Sequence, residues 1–223
     1  MDKDHLISRR SFIKTASLIG SGFAIGFNFL QAKRALNSEF SPNMYINVLS
    51  DDTVVLSVSK AEMGQGIWTS LPMLIAEEME VDWGKVKVQQ ISKDSFIGTG
   101  GSMSISGYGW EKMREAGAVA KQVLVESAAL KWKVSPVECV AKNSVVYHQK
   151  TRRSTSFGSL VDEASKVKIP KSVRLKKSSE FNLLGKDMLR TDSKIKVDGT
   201  ALFSMDKNLS GMLYAMVERP KYF

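Results

Sequence analysis

Two short glycine-rich stretches stand where a backbone could hold an anion. Gly64-Gln65-Gly66 comes just before a helical pattern that begins near Thr69, and Gly98 to Ser106 comes before a second one at Trp110. The first amides of a helix have no partner inside it, and the helix dipole is positive there. Negative charge is therefore favoured at such a place. Glycine also lets a phosphate come close without meeting a Cβ. The chemistry on offer is the capture of a phosphate or pyrophosphate. Neither stretch ends in the Gly-Lys-Ser/Thr of a P-loop, and neither has the Gly-x-Gly-x-x-Gly spacing of a dinucleotide turn. On spacing alone, a phosphate cradle and ordinary turn glycines stand as two equal readings.

Other chemistry-bearing residues are few. Glu62, Glu77, Glu78 and Glu80 could supply a general base. Three of them fall on the helix after the first glycine stretch, where a solvated face is their expected place. Histidine occurs only at His5 and His148. His148, beside Tyr147, reads as a strand or turn residue, and one histidine in the body leaves no credible Ser/His/Asp set. Met63, Met73 and Met79 read as core filler. The lone cysteine, Cys139, excludes an internal disulfide. No cluster of Cys, His and carboxylate has metal-ligand spacing. No catalytic residue and no metal ligand is therefore assigned within the chain. A redox cofactor would bring its own metal ligands, and an iron–sulfur cluster or zinc would sit on another chain.

The elements that must position these residues follow from periodicity. Tyr45 to Leu49 and Val54 to Val58 alternate around the turn Ser50-Asp51-Asp52-Thr53, which predicts a β-hairpin. A helix from about Thr69 follows, with Pro72 in its first turn and Leu71, Leu74, Ile75 and Met79 on one face. Asp82-Trp83-Gly84 ends it, and Lys85 to Ile91 reads as a strand. A long helix from Trp110 to about Trp132 carries the seam Trp110, Met113, Gly117, Ala120, Leu124 and Ala128. The small residues there would admit a close neighbour. Ser135-Pro136-Val137-Glu138 has the form of a capping box. A short strand around Val145 to His148 comes next, and Ser156 is expected to cap a helix to about Lys166. This order predicts an α/β arrangement. Leu202 to Asp206 and Met212 to Val217 read as two further strands.

Charge is unevenly placed. The net charge is +9. Residues 1–35 hold six basic and two acidic side chains, residues 36–165 thirteen and fifteen, and residues 166–196 ten and three. The body is not basic, so nucleic acid is not an expected partner. The basic block Lys166 to Lys196 reads as a solvated linker or a surface for an acidic partner.

The start of the chain reads as an address. Ser8-Arg9-Arg10-Ser11-Phe12-Ile13-Lys14 precedes an apolar stretch from Ala16 to Leu30. Paired arginines before a short hydrophobic segment predict a twin-arginine export signal over residues 1–35, hence a periplasmic location. That route carries proteins already folded, often around a cofactor. The apolar stretch is interrupted by Ser17, Gly20, Ser21, Gly22, Gly26 and Asn28. It falls short of the about 20 mostly apolar residues of a spanning helix. Cleavage after Ala32 and retention as an inner-membrane anchor both stay open.

Several separated motifs carry a family resemblance. Lys60-Ala61-Glu62-Met63-Gly64-Gln65-Gly66-Ile67-Trp68-Thr69-Ser70-Leu71-Pro72-Met73-Leu74-Ile75-Ala76-Glu77-Glu78 resembles the molybdopterin-binding large subunits of the xanthine dehydrogenase/aldehyde oxidase family. The branch is that of the isoquinoline 1-oxidoreductase beta subunit and exported aldehyde dehydrogenases. Val81-Asp82-Trp83, Gly98-Thr99-Gly100-Gly101-Ser102, Leu184-Gly185-Lys186, Lys196-Val197-Asp198-Gly199-Thr200-Ala201 and Ser210-Gly211-Met212-Leu213-Tyr214 continue it in order. The resemblance implies an α/β (α+β) molybdopterin-binding-type domain of mixed sheet and helices over residues 40–170. A basic linker, 171–196, and the start of an incomplete hammerhead-type domain, 197–223, would follow.

The resemblance also implies a cofactor, molybdopterin cytosine dinucleotide, whose dithiolene sulfurs hold the molybdenum. Gly64, Gln65, Gly66 and Thr69 would lie near the pterin or its pyrophosphate, with Gly100, Gly101 and Ser102 as a second contact. The implied reaction adds a water-derived hydroxyl to a carbon beside a ring nitrogen, or to an aldehyde carbon. The implied partners are a small subunit with two [2Fe–2S] clusters and a cytochrome c subunit. The family's Gly-Phe-Gly-Gly segment and its C-terminal general-base glutamate have no counterpart here. The chain is therefore expected to be the N-terminal part of such a subunit, truncated or completed by a separate chain, and inactive alone. Two alternatives are a non-catalytic periplasmic binding or assembly module of the same fold and a structural protein anchored by residues 16–30.

Overall fold

A computed structural model of the chain describes residues 39–43, 45–91 and 104–221. The export signal, the apolar stretch 16–30, and the candidates Gly100, Gly101 and Ser102 lie outside the described residues. The chain divides into two units, Met1–Met188 and Leu189–Phe223. The first contains both sheets and the two long helices.

Alternating apolar residues build the first sheet. Strands β1 (Glu39–Asn43), β2 (Ile46–Leu49), β3 (Val54–Val58) and β4 (Val86–Gln90) lie in the order β1-β2-β3-β4. The predicted hairpin is β2 and β3, antiparallel, with Ile46 opposite Leu56 and Val48 opposite Val54. Asp51 shapes its turn by accepting a hydrogen bond from the Thr53 amide at 2.9 Å. Strand β4 pairs parallel to β3, Val54 opposite Val86. A parallel neighbour needs a crossover, and helix α1 (Ile67–Met79) is that crossover. It begins two residues earlier than the periodicity suggests, so Pro72 lies inside the helix rather than in its first turn.

Helix α2 (Trp110–Trp132) has the predicted length and crosses α1 at its seam of small residues. The position of a Cβ added to Gly117 is 2.3 Å from the carbonyl oxygen of Ile75. Only glycine fits there, and Ala116, Ala120 and Ala128 keep the rest of the contact close and buried.

A second sheet, β5 (Cys139–Lys142), β6 (Val145–His148) and β7 (Arg153–Ser156), forms an antiparallel meander. Periodicity predicts β6 alone; β5 and β7 are only four residues each and largely polar outside. Asn143 and Ser144 both take positive φ, 50° and 62°, the geometry of the tight turns that join hairpin strands. Ser144 also ties this sheet to the end of α1. Its amide donates to the Glu80 carbonyl and its hydroxyl accepts from the Asp82 amide at 2.9 Å.

Four sequence expectations are corrected. Ser135 makes no side-chain cap, and Pro136–Glu138 is a single 3-10 turn. Ser156 ends β7 instead of starting a helix; a 3-10 turn (Gly158–Leu160) and the four-residue α3 (Val161–Ala164) follow. Met63 is 70% exposed, whereas Met73 and Met79 are buried as expected. Residues 202–206 and 212–217 form no strands; Ser204–Asp206 is a 3-10 turn and Leu213 and Met216 are more than nine-tenths exposed. A strand gains stability from a partner, and none pairs with them among the described residues. The second unit is organised instead around Asp192, just before the five-residue α4 (Ser193–Val197). Arg190 and Lys196 bind its carboxylate and hold its carboxyl well below the usual range.

Gly117→Ala places a methyl group against the Ile75 carbonyl. Overpacking of this kind is expected to cost about 1–3 kcal/mol, read as a lower urea midpoint with an unchanged slope.

Candidate functional site

The Gly64-Gln65-Gly66 turn leads from β3 into α1, as the sequence predicts. Gly64 has φ 105° and Gly66 φ 80°, with Gly66 as the N-cap of α1. An L side chain rarely adopts these values. The turn is closed from within by two side chains. Glu62 Oε1 accepts from the amides of Gly64 and Gly66 at 2.8 and 3.0 Å, and Oε2 accepts from the Trp68 amide at 3.1 Å. Gln65 Oε1 accepts from the Met63 amide at 2.6 Å, and its Nε2 donates to the Ala61 carbonyl at 2.8 Å. Thr69 is buried and its amide donates to the Gly66 carbonyl.

The outer side of this turn is open. Met63, Gly64 and Gln65 are exposed, and nothing lies within 4 Å of a Cβ added to Gly64 or Gly66. The residues present thus fit a flat group laid against the backbone of Gly64 and Gly66, where no Cβ intervenes. The expected phosphate cradle is different: three of its amides already have a carboxylate.

The second glycine stretch does not meet α2 as expected. Helical winding starts before Trp110, in a π-helical turn over Ser104–Gly109 that runs straight into α2. Gly109 is right-handed, so Trp110 does not open a fresh helix N-terminus. Residues 98–103 lie outside the described residues.

Glu77 and Glu78 overturn the solvated-face expectation. Their side chains are fully buried. Helix α1 is apolar from Leu71 to Ala76, so no face was left for water; that run is the signal that could have located them. A later segment of the chain, 174–184, satisfies both. Glu77 accepts from the consecutive amides of Asn182, Leu183 and Leu184, at 2.6 Å from Leu183, and from Lys176 Nζ at 2.5 Å. Glu78 accepts from Arg114 Nε at 2.8 Å and from the Lys176 amide. The Arg114 guanidinium lies over the rings of Trp110 and Phe181, at 5.4 and 5.1 Å from their centroids. Its Nη2 also donates to the Lys176 carbonyl. Lys176 in turn reaches Glu80 at 2.6 Å. Within the basic block, Lys176 is therefore not solvated.

Burial alone would push the Glu77 carboxyl up. The Lys176 ammonium and the three amides outweigh it and hold it below the ordinary value. The same two effects oppose each other at Lys176, where burial would lower the ammonium but Glu77 and Glu80 raise it. Both carboxylates are thus engaged in buried ion pairs.

His148 is a strand residue, as expected. Its ring lies between Thr151 Oγ1 at 2.7 Å and Glu138 Oε2 at 3.0 Å, and Glu138 also pairs with Lys150. The imidazole is 2% exposed, so this arrangement locks the β6–β7 turn. A cavity of about 740 Å³ opens on the second sheet beside Lys142, Tyr147, Arg152 and Arg153, and Gly64, Gln65, Gly66 and Thr69 are not in its lining. Among the described residues no cluster of three His, Cys, Asp or Glu could hold a metal ion. Among the same residues no helix is long and apolar enough to cross a membrane.

Comparison with known proteins gives one family. Residues 7–203 match the molybdopterin cofactor-binding domain. The chain is 32% identical to the isoquinoline 1-oxidoreductase subunit beta of Brevundimonas diminuta, over 95% of this chain and 33% of that protein. It is also 32% identical to a membrane-bound aldehyde dehydrogenase [pyrroloquinoline-quinone] of Gluconacetobacter polyoxogenes, over 96% of this chain and 29% of that one. The chain thus spans about a third of the length of these relatives. Among solved structures, quinoline 2-oxidoreductase from Pseudomonas putida 86 is similar over 52% of this chain and 15% of its own, at 18% identity and a TM-score of 0.44.

The buried Glu77 carboxylate predicts an acid response. A carboxyl held below its ordinary value in the folded chain adds stability above that value and loses it as pH falls through the folded one. Stability should therefore drop below about pH 4.5, the ordinary glutamate value. Glu77→Ala leaves Lys176 buried beside three unmet amides and is expected to cost about 3–5 kcal/mol at neutral pH. It should also flatten the acid limb of urea midpoint against pH.

Proposed function

Since the chain belongs to the molybdopterin cofactor-binding domain family, we propose that it forms part of the cofactor site of an exported molybdenum hydroxylase large subunit. The observation that carries this reading is the preformed turn at Gly64-Gln65-Gly66, inside the matched region, with open space beside the Cα atoms of Gly64 and Gly66. Gly64, Gln65, Gly66 and Thr69 lie near the pterin or its pyrophosphate, with Gly100, Gly101 and Ser102 as a second contact. The cofactor is the cytosine dinucleotide form. When bound, it supplies the metal for an oxidative hydroxylation.

The chain's own residues bind and orient. The glycine turn offers backbone surface, and α1, fixed through Glu77 and Glu78, holds that turn in place. Export follows the twin-arginine route to the periplasm, since Arg9 and Arg10 precede a short apolar stretch. The substrate class is an N-heterocycle or an aldehyde, by analogy with the names of the two relatives. Electrons leave through a [2Fe–2S] small subunit towards a cytochrome c subunit. No hydroxylation is expected from this chain alone. The glutamates of α1 are buried in ion pairs, and Glu62 is committed to three amides.

The test is pterin content of the full chain, co-expressed with the cofactor pathway and a [2Fe–2S] subunit. Gly66→Ala forces an L residue into the left-handed region, at about 1–2 kcal/mol. That corresponds to roughly five- to thirtyfold weaker retention. Unchanged pterin content in both Gly66→Ala and Gln65→Ala would overturn the assignment.

A further inference from the structure

The amides at the start of α1 already have an anion, and it belongs to the chain. We propose that Glu62 is a positioning residue: its carboxylate is the resident anion of this turn and sets the backbone of Gly64 and Gly66 before any cofactor arrives. The proposal rests on the reading that the turn contacts the cofactor, and it changes how that contact is made. The cofactor meets the open glycine face, not the amides of Gly64, Gly66 and Trp68.

Three observations lead here. One carboxylate spans six residues, taking amides two, four and six positions ahead of it at 2.8, 3.0 and 3.1 Å. Bonds to a charged acceptor are roughly twice as strong as neutral ones, and a carboxylate suits the positive end of a helix. Next, glycine samples both signs of φ freely, so glycine alone does not select 105° and 80°; the bonds to Glu62 do. Finally, a phosphate at the same three amides would meet the Glu62 charge at contact distance, where like charges repel. Gln65 completes the device from the other side of the turn through Met63 and Ala61.

The experiment uses the full chain without cofactor and reads amide hydrogen exchange. Glu62→Ala is expected to speed exchange at Gly64, Gly66 and Trp68 by about tenfold or more. Glu62→Gln keeps one acceptor oxygen and should give a smaller, uneven effect. Inorganic pyrophosphate should leave these three amide signals of the unaltered chain in place. A saturable shift there would overturn the proposal, since the anion would then have displaced Glu62. Pterin retention in the loaded complex separates this proposal from the reading beneath it. If Gly66→Ala lowers pterin content while Glu62→Ala changes neither exchange nor pterin, the role of Glu62 is refuted and the cofactor contact stands. If exchange responds to Glu62→Ala but no variant of the turn changes pterin content, the cofactor contact is refuted, and Glu62 is left as a local cap.

Discussion

Two buried carboxylates set the terms for the rest of the first unit. Helix α1 is buried at every position from Leu71 to Met79, so Glu77 and Glu78 must find partners inside the protein or not ionise at all. The chain meets this with three consecutive amides, one lysine and one arginine. Those partners come from α2 and from a segment about a hundred residues downstream. A single helix thereby fixes the crossover between β3 and β4, the approach of α2, and the path of residues 174–184. Arg114 shows how closely these constraints interlock. It serves Glu78, lies over two aromatic rings and holds the Lys176 carbonyl.

The glycine turn owes its geometry to the same rigidity at one end and to Glu62 at the other. At Gly64 and Gly66 its backbone takes positive φ values that favour glycine, and the Glu62 carboxylate bonds to both amides. Rigid presentation of a small backbone surface suits recognition of a large planar cofactor, because little ordering remains to be done on binding.

Much of this was legible in the sequence, and the failures have physical causes. The hairpin β2–β3, the crossover helix and the ends of α2 follow from strong periodicity. The turn at Gly64-Gln65-Gly66 was located, but its internal carboxylate was not, because a bond from Glu62 to Trp68 leaves no mark in residue spacing. Glu77 and Glu78 were misplaced for a different reason. Charge is usually read as a solvent signal, and here it faces partners distant in sequence. Strand β7 escaped because four polar residues on a sheet edge carry no apolar period, and β5 because its alternation runs over only four residues. The apolar runs at 202–206 and 212–217 have strand-like composition without a pairing partner among the described residues, and composition alone cannot supply one.

The distance along the chain between Glu77 and Leu184, 107 residues, has a consequence for biosynthesis. Helix α1 leaves the ribosome long before the amides that neutralise it exist. At about 5–20 residues per second, the two carboxylates wait roughly 5–20 s for their partners. During that interval the unit cannot close, and its apolar helix remains available to chaperones. Completion of this one ionic seam therefore sets the earliest moment at which the first unit can close.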